Sequence, residues 1–412
     1  MVALQSSGYN YPVVCILITS FTIFNKCLIA ESMVDTDFIT TTLVDLVRIN
    51  SVNPDLEKGG AGEAEIGAYI HNILLSQGFH STIDTIADGR VNVIGKHTGK
   101  GNGRSLILNA HMDTVGVQGM VNPFGATITN GKLFGRGAYD MKGSIAAMLG
   151  VAKAISDQKI ELPGDLIWTF VADEEYDSIG TQALLKDLSA DACIVTEPTD
   201  LKICLGHRGF GLYEITTHGK AAHGGLHKEG VDANIKMGKV LSELDRFSHH
   251  IIATRTHQLC GEASLHVPLI NGGQSLFIYS NQCTINVERR TLPGEGETTV
   301  FQELKNILIK IQKEDKYFNA TIKQLMWRNP HEISKDSPIV NSLTNSISHV
   351  NTAEYIGHTW WEDSGLFGEV RIPTVIIGPK GGGIHQPEEW VELNSVFELS
   401  RILLKTSINF CA

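Results

Sequence analysis

The sequence predicts an α/β protein with a central, largely parallel sheet flanked by helices, interrupted by an inserted ferredoxin-like α+β unit. Three observations carry this. Short apolar runs at 105–109, 166–171, 192–196 and 374–377 read as strands buried on both faces. Helical patterns at 63–77 and 143–156 alternate with them. Between 204 and 326 the texture changes to half-exposed alternation in β-α-β-β-α-β order, the split arrangement of ferredoxin-like units.

Taken along the chain, Phe38, Leu43, Leu46, Val47 and Ile49 recur at helical spacing after Met33. The helix at 63–77 is stopped by Gly78, a residue suited to the left-handed conformation that ends helices. Strands follow at 91–95 and 105–109, then a hairpin near Leu133, the helix at 143–156 and the strands at 166–171 and 192–196. The inserted unit is read as strands at 211–217, 266–270, 283–288 and 320–326, with helices at 231–244 and 299–312. After Trp327 the α/β texture returns, with a last helix from Asn394, as N-cap, to about Phe410. The expected organisation is therefore a catalytic unit of 33–203 and 327–412, and a lid or dimerisation unit of 204–326.

Composition narrows the function classes. The 412 residues carry 34 Lys and Arg against 45 Asp and Glu, a net charge of −11. An acidic surplus argues against nucleic acid as a partner, and nothing indicates a stable membrane partner. The seven cysteines are an odd number without a CxxC pair, which favours a reducing, cytoplasmic setting. Residues 1–32 stand apart from the fold. Their apolar run at 11–24 is short for a membrane span and lacks a preceding Lys or Arg. It reads as an unused upstream extension, as a signal peptide cleaved near Ala30 (making the protein secreted), or as an anchor.

In an open α/β sheet, ligands collect at the carboxyl ends of the strands. His111 and Asp113 follow the strand at 105–109, in NAHMDTV. Asp140 follows the hairpin near Leu133, in GRGAYDMKG. Glu174 and Glu175 follow 166–171, Glu197 follows 192–196 in TEPTD, and His385 follows 374–377 in GPKGGGIHQPEEW. Neighbouring uncompensated carboxylates repel, so a cluster on one rim calls for cations between them. Two imidazoles with three carboxylates suit two divalent ions, zinc first. Asp140 is the natural bridge, His111 with Glu197 can complete one ion, and Glu175 with His385 the other. Glu174 is then free to act as general base, and Asp113 to hold the second nitrogen of His111.

These motifs, in this order and spacing, resemble the M20 metallopeptidase family, which includes acetylornithine deacetylase, succinyl-diaminopimelate desuccinylase, aminoacylase and glutamate carboxypeptidase. The resemblance covers about residues 36 to 405. It implies two zinc ions per subunit, with cobalt as a possible substitute, bridged by Asp140 and served by Glu174 as proton shuttle. It also implies a homodimer formed through the inserted unit. There HGKAAHGG places His223 as a donor that would stabilise the oxyanion in a partner subunit's site. NVERRTLPGE points to Arg290 as the binder of a substrate carboxylate, a task suited to a guanidinium fork. Relatives often carry Asn thirteen residues earlier, where this chain has Phe277, which loosens the substrate assignment.

The expected reaction is deacylation of an N-acyl amino acid by metal-dependent amide hydrolysis, acetylornithine deacetylase-like. A dipeptidase or carboxypeptidase acting on small peptides is the alternative, and a binding protein without catalysis a remote one. Other features read as structural. GKGNGR at 99–104 precedes a strand and is a turn, not a phosphate loop; Cys193 is a small core residue; Arg289 faces away from Arg290 as a surface charge. Asp363 matches an acidic position of the family, and Glu389 is placed to line the substrate side.

Overall fold

The computed structural model describes residues 33–347 and 352–412. The readings of residues 1–32 lie outside the described residues. The first helix, Thr36–Arg48, opens with Asp35, whose carboxylate accepts from the Phe38 amide at 2.9 Å.

The main sheet runs in the order His80–Ala87, Arg90–His97, Leu166–Val171, Leu106–His111, Ala192–Val195, Thr374–Ile376, Ile203–His207 and His331–Glu332, with Tyr355–His358 also pairing on Ile203–His207. Its four central strands, from Leu166–Val171 to Thr374–Ile376, are parallel and fully buried. Side chains of a strand alternate between faces, so each run supplies two cores. Leu106, Leu108, Trp168, Phe170 and Ile194 join one cluster with the helices Thr36–Arg48, Gly143–Asp157 and Leu393–Phe410. Ile107, Ile167, Val171, Cys193 and Val195 join the other, under Leu184 and Phe367. Covered faces explain the unbroken apolar runs, and parallel strands bring all their carboxyl ends to one rim. A small antiparallel sheet, Gly381–Gly382, Trp390–Glu392, Lys132–Phe134 and Thr127–Thr129, ties the loop that carries His385 to the hairpin that precedes Asp140.

A second four-stranded antiparallel sheet has the order Ser264–Gly272, Gln282–Thr291, Gly209–His218 and Ala320–Arg328. The helices Ala233–Thr254 and Glu297–Glu314 cover one face, burying Tyr213, Ile215, Val240, Ile285, Val287 and Leu304. Two lysines, Lys236 and Lys239, meet Asp315 at 2.6 and 2.7 Å and tie one helix to the end of the other. This is the ferredoxin-like order.

Three expectations are corrected here, and one strand is additional to them. The change of texture placed at 204 falls inside Ile203–His207, which is hydrogen-bonded into the main sheet, so the second sheet starts at Gly209. The strand His80–Ala87 carries no strand signal in the sequence, being a mostly exposed edge without apolar alternation. The last helix begins at Leu393 with Glu392 in the cap position, where no side chain caps it. Arg289 is fully buried, 2.5 Å from Glu295, because the face it shares with Val287 is the one the helices cover. Among the described residues, no helix is long and apolar enough to cross a membrane.

Candidate active site

Each strand end of the rim delivers one or two polar side chains. His111 is the last residue of Leu106–His111 and is buried. Its Nε2 lies 3.1 Å from one carboxylate oxygen of Asp140 and 3.6 Å from Glu197. His385 Nε2 lies 3.1 Å from the other Asp140 oxygen and 3.1 Å from Glu175. Asp140 thus divides its two oxygens between two histidine–carboxylate groups. Within each group the ligand-capable atoms of His111, Asp140 and Glu197, or of Asp140, Glu175 and His385, all lie within 4.8 Å of one another.

The local backbone is held for this arrangement. Gly137 takes a left-handed conformation (φ 76°) just before the Asp140 turn. Glu389 then clamps that turn: its carboxylate accepts from the Gly137, Tyr139 and Asp140 amides at 2.9 to 3.0 Å and from Arg136 at 2.6 Å. Glu389 is therefore a buried support of Asp140 and not part of the substrate wall, because donors converge on it from behind the turn. Gly378 allows the chain after Thr374–Ile376 to pass close to Glu197; a Cβ there would stand 2.1 Å from the Glu197 carbonyl oxygen.

Asp113 stands against the second nitrogen of His111: His111 Nδ1 is 2.9 Å from the Asp113 main-chain carbonyl and 3.6 Å from its carboxylate. The carboxylate also accepts from the Glu174 and Glu175 amides, at 3.1 and 3.3 Å, and from Asn53 at 2.8 Å. Asn53 also donates to Asp173 at 2.9 Å, and Arg90 joins Asp173, Glu63 and Asp55. This buried network fixes the turn that carries Glu174 and Glu175. Nothing local in the sequence marks Asn53 or Arg90, and Asp173 stands there only as one more acid after the strand at 166–171; their bonds span 60 to 120 residues.

Burial and mutual repulsion shift the acids of this cluster. Burial pushes the Glu174 carboxyl well above its ordinary range; His111 opposes this, while Asp363, Glu175 and Asp140 add to it. Glu197 is raised the same way, by burial first and then by Asp140 and Glu174, against His111. Glu175 is raised by burial and Asp140 against His385. Burial also works against ionisation of Asp140, but hydrogen bonds from His111 and His385 hold it well below the usual range. Hydrogen bonds to Asp140 and Glu175 push His385 up to about 10. One oxygen each of Glu175 and Glu197 is buried with no hydrogen-bond partner among the described residues. Imidazoles, a shared aspartate and orphaned carboxylate oxygens are the donor set that a pair of divalent cations fits.

A cavity of about 370 Å³ opens over these groups, lined by Glu174, Glu175, Glu197 and His385 below and by Arg290 and Phe210 from the second sheet. The Arg290 guanidinium lies 5.0 Å over the Phe210 ring and its Nε donates to Glu288. The structure does not bring His223 there: it is exposed on a loop bonded to the Phe277 carbonyl through Gly224, and Phe277 itself is 74% exposed. Asp363 is buried, accepts from Thr181 and is raised to about 6 by burial.

A sheet-edge cluster of this kind defines a metallohydrolase, and comparison with known proteins gives its family. Residues 107–409 match the family model for peptidase family M20/M25/M40, so the chain belongs to that family and is one of its amide-cleaving hydrolases. It is 25% identical to an N-formyl-4-amino-5-aminomethyl-2-methylpyrimidine deformylase of Halalkalibacterium halodurans, over 94% of this chain and 99% of that one. It is 29% identical to an acetylornithine deacetylase of Buchnera aphidicola subsp. Acyrthosiphon pisum, over 76% and 82%. In fold it is similar to a tripeptidase of Staphylococcus aureus, with a TM-score of 0.75, 20% identity and coverage of 92% and 99%.

Proposed function

We propose that this chain hydrolyses the amide of a small N-acyl amine or N-acyl amino acid, using two divalent ions, zinc first, held by His111, Asp140, Glu175, Glu197 and His385. The observation that carries this is the division of the Asp140 oxygens between the two histidine–carboxylate groups. Bound there, such ions would supply a water acidic enough to lose its proton near neutral pH. Glu174, raised well above an ordinary carboxyl, takes that proton and returns it to the departing amine. Asp113 and Asn53 hold Glu174 in place through its amide. Arg290 lines the cavity, and its guanidinium is the group we assign to a substrate carboxylate.

The deacylase reading is supported by two relatives whose names describe removal of a formyl or acetyl group from an amine. We assign the segment from Gly209 to Arg328 as a lid that moves Arg290 and carries His223 to the site of a second copy. The edge strand Ser264–Gly272 leaves Leu269 and Ile270 65% and 60% exposed, a surface suited to strand pairing between copies. The test is a screen of zinc-loaded protein against N-acetyl and N-formyl amines, N-acyl amino acids and unblocked dipeptides. Turnover of acylated amines supports the reading. Turnover confined to dipeptides replaces it with a dipeptidase, and no turnover of any amide overturns it.

A further inference from the structure

We propose that Glu362 and Trp360 form a subsite for a flat cationic group, such as an amidinium or a protonated aminoheteroaryl ring, on the amine side of the substrate. This rests on the amide-hydrolase reading above. Glu362 has no part in that reaction, yet it lines the same cavity as Glu174, Glu197 and His385. It is buried to 1% exposure. One of its oxygens bonds His358 Nδ1; the other, Oε2, is buried and makes no hydrogen bond of ordinary geometry among the described residues, although the Trp360 side chain stands near enough to favour the ionised carboxylate. Leaving a buried carboxylate oxygen unpaired is unfavourable, which makes it an acceptor waiting for a ligand donor.

The neighbouring rings set the shape of that ligand. Trp360 stacks on the His358 imidazole with centroids 4.2 Å apart, and remains 42% exposed. A flat group laid on Trp360 would reach Glu362 with its edge. Trp361 and Phe210, also on the cavity wall, already have guanidinium groups over them, Arg328 at 5.5 Å and Arg290 at 5.0 Å. Those arginines have acid partners of their own, Asp177 at 2.5 Å and Glu288. Five carboxylates therefore face the cavity floor, Asp140, Glu174, Glu175, Glu197 and Glu362. The unpaired Glu362 oxygen, beside an indole face, favours a donor that carries positive charge.

The experiment measures binding of benzamidine, a flat amidinium, and of benzamide, its neutral counterpart, to the zinc-loaded protein by calorimetry. Benzamidine should bind at least about tenfold tighter, because a site with a buried acceptor discriminates strongly for a matching donor. In Glu362→Gln the preference should vanish while zinc content stays unchanged. Trp360→Leu, which leaves the carboxylate in place, should weaken benzamidine severalfold and serves if the Gln variant fails to fold. Equal binding of the two compounds, no benzamidine binding, or a preference that survives Glu362→Gln would each overturn the proposal. A Glu362-dependent preference in a protein that cleaves no amide sustains the subsite and sinks the hydrolase reading. Amide turnover with no such preference does the reverse.

Discussion

The rim of the main sheet and the second sheet's contribution to the cavity are built by opposite rules. At the rim, His111, Asp140 and Glu197 are buried, and the backbone around them is clamped by other buried carboxylates, Glu389 and Asp113. From the second sheet, Arg290 is partly exposed and His223 lies on an exposed loop, with partners on its own segment. Groups that hold ions and move protons need fixed geometry, so they sit on strand ends with support behind them. Groups that only meet substrate can be carried on a separate unit and arrive with it.

The largest expected effect lies at the rim. Glu174→Gln removes the proton carrier but no metal donor. It should lower kcat by about a thousandfold or more, with metal content unchanged, read by steady-state kinetics and elemental analysis. His223→Ala should cost about a hundredfold if that side chain donates to the oxyanion. Mixing His223→Ala with Glu174→Gln should restore activity in hybrid dimers, and a mixture as inactive as its parents breaks the claim that His223 serves another copy. Asn53→Ala, which frees Asp113 and Asp173, should reduce activity or metal affinity by about ten- to a hundredfold. An effect below twofold would mean that the support is redundant.

The smallest expected effect separates the two regions by stability. Glu174, Glu175 and Glu197 have carboxyls raised in the folded, metal-free chain, so that state binds more protons than the unfolded one. The stability these three groups contribute should be fully present below the unfolded carboxyl pKa, about 4.3, and be lost as pH rises through the raised values. Raised His385, near 10, acts in the same direction. Over pH 5 to 8 the melting temperature of chelated protein should fall relative to the loaded protein by several degrees. An isolated Gly209 to Arg328 segment, if it folds, should show no such metal-dependent gap.

Much of the rim was legible because its side chains come directly after buried apolar strands, as His111 does after the run ending at Ala110. The supports were not. Asn53, Arg90, Asp173 and Glu389 meet their partners only in the folded chain, and no periodicity marks a residue whose contact is distant in sequence. Arg289 shows the limit of alternation. It was placed opposite Arg290, as found, but which face is covered depends on where Glu297–Glu314 packs, and Glu295 makes the buried charge tolerable. Asp113 shows another limit: spacing puts it beside His111, where it stands, but gives no sign that its carboxylate also holds the next turn.

The most direct test of the central claim is the metal content of the purified chain and of Asp140→Asn, measured beside amide hydrolysis. Shared by both groups, Asp140 should be indispensable to both: wild type should hold about two divalent ions per chain, and the variant less than one, with hydrolysis lost. An Asp140→Asn protein that keeps its full metal content and its full hydrolytic rate would contradict the account.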